Sequence, residues 1–223
     1  MEKVLEMLLL QQELNDATNG EGWEAGKTKN GKIINWKRCI YMECCEMVDS
    51  FAWKHWKAIN QEPDWANLQI EVVDVWHFIM SLGLEDYSQN FRGTIEDLAM
   101  KVAQMPGYIA LEENGELQFA EPHTIMDKVE DIICNAVNRE KFDSDRLFED
   151  FFELAYMSKL NLQDLYRLRR RDRVHAALDR DRLRHPARTG HRQQHQDRVR
   201  DDGRGPGDPA PARDRLHRRQ GGQ

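Results

Sequence analysis

Two of the most apolar stretches in this chain each carry a pair of acids three residues apart, and that pattern narrows what the chain can fold into. In "CIYMECCEMVDSFAWKHW", Cys39 to Trp56, Glu43 and Glu46 stand among apolar and aromatic neighbours. The pattern returns in "QIEVVDVWHFIMSL" with Glu71 and Asp74. Side chains at i and i+3 share one face of an α-helix, about 5–6 Å apart at their Cβ atoms. Each pair therefore presents two carboxylates together, and two such helices packed antiparallel bring four together. Burying unpaired anions is costly. A hard divalent cation removes that cost, and ligation by oxygen alone suits magnesium or manganese. Acids on a solvated helix face are the competing reading; that explains one pair better than two in succession.

The remaining periodicity is helical throughout. Residues 2–18 predict an amphipathic helix with Val4, Leu5, Leu8 and Leu9 on one face, ended by "NGEGW". "KTKNGKII" offers two very short strands around an Asn30-Gly31 turn. Asn35 then caps a helix over 36–59, whose apolar face includes Ile40, Met47, Val48, Phe51 and Trp53. After "NQEPDW", with Asp64 as cap, a helix is expected over 65–84. "TIED" opens another at Thr94, and Pro106-Gly107 stops it. Helices over 124–138 and 144–159 follow, and "NLQDLYR" begins one more. Strands never alternate with helices, so the expected fold class is all-α, a helical bundle.

No run of 18 apolar residues could span a membrane. The N-terminus starts acidic and lacks a small-residue cleavage site, so no secretory signal is expected. Cys39, Cys44, Cys45 and Cys134 have neither disulfide nor zinc spacing. A reduced, cytoplasmic setting is the expectation, with Cys44 and Cys45 as small core residues.

The net charge of −7 hides two unlike parts. From Arg167 onward there are seventeen Arg and eight Asp without a single Lys or Glu, which is +9 against −16 for the first 166 residues. That same stretch lacks Phe, Trp, Tyr, Ile, Met and Cys, so it cannot bury enough apolar surface to offset the entropy of ordering. Two domains are expected: a folded unit over 1–166 and a disordered tail over 167–223. The acidic unit suits a cation better than nucleic acid. Interspersed acids and missing aromatics make the tail a poor nucleic-acid partner as well. Arg, Asp, Ala, Gly, Pro and His dominate GC-rich genes read out of frame, which makes the tail an expected frameshift product.

The spacing ExxE, 24 residues, ExxD is similar to the metal signature of the all-α nucleoside triphosphate pyrophosphatases. Within that group, "LLQQELNDATNG", "NWKRCIYMECCEMVDSFAWKHWK" and "IEVVDVWHFIMSL" resemble the dimeric dUTP pyrophosphatases, in order and over residues 1 to 166. The resemblance implies hydrolysis of dUTP, and of dUDP as a further candidate, to dUMP, which keeps uracil out of DNA. It implies that Glu43, Glu46, Glu71 and Asp74 bind magnesium, with Glu46 orienting or deprotonating the attacking water. Gln12 and Asn15 are implied at the uracil and His77 at the deoxyribose or base. Lys54 and Lys57 could meet phosphate oxygens, and a homodimer is expected. Members of the family continue with a further motif of Lys, Asn, Arg, Gly and Tyr, which nothing after Arg167 matches. Two other readings stand beside this one. One is a house-cleaning pyrophosphatase for other or modified nucleotides, and the other a non-enzymatic helical interaction module with a basic tail.

Overall fold

The computed structural model describes residues 1–56, 62–113 and 117–167. Its architecture is all-α. Helices α1 (Glu2–Asn19), α2 (Trp36–Val48), α3 (Trp65–Gln89), α4 (Ile95–Ala103), α5 (Pro106–Glu113), α6 (Pro122–Val137) and α7 (Ser144–Met157) follow in order, with a short 3-10 turn at Trp23–Ala25. Residues 162–167 are helical as well. Among the described residues, extended pairing is confined to two isolated bridges, Lys27 with Ile33 and Phe119 with Ser158. The first closes the Asn30-Gly31 turn, where Gly31 takes φ 77° and its N–H bonds the Thr28 carbonyl at 2.8 Å. No helix among the described residues is long and apolar enough to cross a membrane.

Local chemistry starts most helices. The Asn35 side chain accepts from the Arg38 N–H at 2.9 Å, and Asp64 accepts from that of Asn67 at 3.0 Å. Thr94 and Asp97 form a reciprocal capping box on α4, and Asp143 accepts from the N–H groups of Asp145 and Arg146. Each such cap is worth about 1 kcal/mol.

The longest helix, α3, is the axis of the fold, about 37 Å long at 1.5 Å per residue. It packs on α1, α2, α4 and α7. Trp76, fully buried, stacks on Phe151 of α7 with ring centroids 4.8 Å apart and an interplanar angle of 12°. Phe148 and Phe152 complete that aromatic cluster.

Several expectations need correction. α2 ends at Val48 rather than near residue 59: the N–H groups of Ser50 and Phe51 turn back onto Met47 and Val48, at 3.0 and 3.1 Å. Ser50 is then drawn to the start of α3, its carbonyl accepting from the Asp64 N–H and its hydroxyl from Asn67. A helix running through this point could not make that link. Trp53, expected on the apolar face, is therefore 41% exposed, and Trp56 is 62% exposed. α3 continues to Gln89, beyond the expected residue 84. Pro106 begins α5 instead of merely ending α4, because proline in a first turn loses no helical hydrogen bond. In α1 the buried stripe is Val4, Met7, Leu8, Gln11 and Asn15, while Leu9 is exposed. Cys44 is buried and Cys45 exposed, since adjacent residues on a helix point about 100° apart. The tail from 168 onward lies outside the described residues.

Candidate carboxylate and base site

Helices α2 and α3 run antiparallel. Ser50 meets Asn67 at one end, and at the other Lys37 lies within the field of Glu85 and Asp86. Between these ends the acids of the two pairs come together. Glu43, Glu46 and Glu71 each offer an oxygen within 4.8 Å of the others. Asp74 lies outside that closest group, yet its charge is the largest of the carboxylate charges acting on Glu43. Glu43, Glu71 and Asp74 are half-buried and Glu46 is exposed.

Three full charges so close are mutually costly. Two unit charges at 4.8 Å repel by about 3 kcal/mol at an effective dielectric constant of about 20. A proton relieves this. Burial, then Asp74, Glu46 and Glu71, push the Glu43 carboxyl up to about 7 from an ordinary 4.5, and Glu43 donates a hydrogen bond to Glu71. Glu71 is also raised, by burial first and then by Glu46, while bonds from Asn67 and Glu43 act against the rise. A divalent cation would relieve the same repulsion. Glu43, Glu46 and Glu71 each offer an oxygen to one point, and oxygen-only donors suit a hard divalent cation. The donor set therefore fits such an ion.

One turn beyond Asp74 on α3 the polar surface continues into the interior. His77 Nδ1 lies 2.8 Å from Gln11 Oε1. Gln11 Nε2 donates to Asn15 Oδ1 at 3.1 Å and to Ser81 Oγ at 3.0 Å, and Asn15 Nδ2 donates to Ser81 Oγ at 3.0 Å. All four side chains are buried, between α1 and α3. Trp36, itself buried, stacks on Phe78 with centroids 6.0 Å apart, beside this face of α3.

Of the residues singled out from sequence, Glu43, Glu46 and Glu71 form one group, and Asn15 and His77 belong to one network. Gln12 stands apart, donating to Asp16 at 3.2 Å and Glu24 at 2.5 Å. Lys54 pairs with Asp49 at 3.0 Å on the exposed loop after α2 and lies over the Trp53 ring. Lys57 falls outside the described residues. Gln11 and Ser81 were not foreseen. Their signal was present: Gln11 continues the Val4, Leu8, Gln11, Asn15 stripe, and Ser81 follows His77 by four.

The described unit is all-α, with three carboxylates gathered between antiparallel α2 and α3 beside a buried amide and imidazole network. The family model described as dUTPase matches residues 3–171, and the chain belongs to the dUTPase family. A comparison with curated proteins gives no match.

Proposed function

We propose that the chain hydrolyses dUTP between the α and β phosphates, releasing dUMP and pyrophosphate, with magnesium as its cofactor. The observation that supports this is the convergence of Glu43, Glu46 and Glu71 within 4.8 Å, beside a buried network that includes Asn15 and His77. Glu43, Glu71 and Asp74 would hold the ion together with Glu46. Magnesium, when bound, neutralises phosphate charge and lowers the pKa of a coordinated water. Glu46, the most exposed of the three converging acids, would orient the attacking water and take its proton.

Asn15 and His77 read the uracil edge. Gln12 contributes less, because its amide nitrogen is already engaged by Asp16 and Glu24. Lys54 reaches a phosphate by exchanging its partner Asp49, a surface pair of small net value. The functional unit is a homodimer, which would cover exposed apolar residues such as Met42, Ile70 and Met100. The setting is the cytoplasm, where four free thiols persist. The tail is a frameshift product: the family match ends at residue 171, close to where Lys, Glu and the aromatic residues disappear from the sequence.

Pyrophosphate release from dUTP, dTTP and dCTP by the full chain, with magnesium and with EDTA, tests this reading. Selective release that requires magnesium is expected. Equal turnover of all three nucleotides, or release in EDTA, would overturn it.

A further inference from the structure

Ser81 is fully buried, and its O–H donates to the His77 carbonyl four residues back, at 2.8 Å. That is the shorter of the two contacts its proton can make, the other being Asn15 Oδ1 at 3.4 Å, and the Ser81 oxygen is also an acceptor for the neighbouring side chains. Gln11 Nε2 and Asn15 Nδ2 both donate to it at 3.0 Å. Asn15 Oδ1 stands farther from Ser81 Oγ, at 3.4 Å, than the Asn15 nitrogen does. Asn15 Oδ1 then accepts from Gln11, and Gln11 Oε1 meets His77 Nδ1 at 2.8 Å. An amide oxygen only accepts, so the His77 proton sits on Nδ1, and in the neutral ring Nε2 is the acceptor. The hydrogen-bond pattern thus assigns two amide orientations and one imidazole tautomer from a single hydroxyl.

Four polar side chains between 0 and 8% exposed, set in an otherwise apolar interface, are retained at a cost unless all are satisfied. His77 is the most exposed of the four and lies one helical turn from Asp74. Along α3 the imidazole is the member of the network closest in sequence to the carboxylates. Uracil offers N3–H as a donor flanked by two carbonyl acceptors; cytosine offers N3 as an acceptor beside an amino donor. A pocket whose amides and imidazole were free to flip would accept both.

We propose that Ser81 is a positioning residue for base recognition: through Gln11, Asn15 and His77 it fixes the donors and acceptors offered to uracil, and so sets the discrimination against cytosine. This rests on the dUTP reading above.

The test is Ser81→Ala in the full chain, with nitrogen-15-labelled histidine. The wild-type His77 ring shows a single Nδ1–H tautomer, and the variant shows a mixture. KM for dUTP rises about tenfold, and the preference for dUTP over dCTP in kcat/KM falls about tenfold, the loss resting on KM more than on kcat. Ser81→Thr keeps the hydroxyl and restores the single tautomer. A folded Ser81→Ala that retains the single tautomer, or retains the wild-type preference, overturns the proposal. If Ser81→Ala does not fold, Gln11→Ala cuts the same network from α1 and is read by the same two criteria. The tautomer is read without substrate. A wild-type chain with the locked ring that releases no pyrophosphate, even with the downstream frame restored, therefore refutes the substrate assignment and not the positioning of His77.

Discussion

Glu43→Gln should make the metal-free protein more stable at pH 8 and no more stable at pH 4. Glu43 is raised from 4.5 to about 7 by burial and by three neighbouring carboxylates. Its folded form therefore holds a proton more tightly than its unfolded form. The stability linked to that proton is fully present below 4.5 and is lost as pH rises through about 7. The whole difference amounts to about 3 kcal/mol. The side chain is partly open to solvent, which screens its neighbours, so about 1.5 kcal/mol is the expected penalty at pH 8. A glutamine carries no charge at any pH, and its amide can still donate to Glu71, so the penalty disappears. For a domain of this size the melting temperature in EDTA should rise by about 3–6 °C at pH 8. Magnesium should raise the wild-type melting temperature at pH 8 and raise that of the variant much less, because the ion loses a ligand. Thermal melts at pH 4, 6 and 8, with EDTA or magnesium, give the comparison. Glu85, also raised to about 7, contributes the same slope to both proteins and cancels in the difference. A variant that is equally stable or less stable at pH 8 in EDTA would refute the claim that Glu43 lies in a crowded anionic site.

Glu46→Ala should lower magnesium-dependent pyrophosphate release by at least about 100-fold while leaving the protein folded in EDTA, where loss of its charge beside Glu43 and Glu71 moves the pH 8 melt upward if at all. Gly107→Ala should destabilise by about 1–3 kcal/mol, because a Cβ there would come within 2.7 Å of Glu149 Oε2 and 2.9 Å of Phe152 Cβ; a urea titration measures it. Removing residues 168–223 should leave the melting temperature within about 2 °C, since that composition supports no core. Resequencing around codon 167 should reveal an alternative frame encoding the missing Lys, Asn, Arg, Gly and Tyr motif. Restoring that frame should raise pyrophosphate release, and an intact gene with no such frame would refute the frameshift.

The helical class, the caps at Asn35, Asp64 and Thr94, and the pairing of Glu43 with Glu46 and Glu71 with Asp74 were legible in the sequence. They depend on interactions between residues three or four apart, and such spacing is written directly in the chain. The compositional break at Arg167 was legible for a similar reason, since burial requires apolar residues that are absent there.

What the sequence left undecided depended on contacts between distant residues. The end of α2 at Val48 follows from Ser50 reaching Asp64 and Asn67, a link that local propensity cannot anticipate. Gln11 and Gln12 are identical side chains on successive positions of α1. Only the packing of that helix on α3 sends the first to His77 and Ser81 and the second to Glu24. Likewise, the spacing of four acids along the chain says nothing about which one keeps a proton. Glu43 is pushed up to about 7, because burial and the approach of Asp74 and Glu71 from another helix raise the cost of its charge, and both arise only when α2 and α3 pack together.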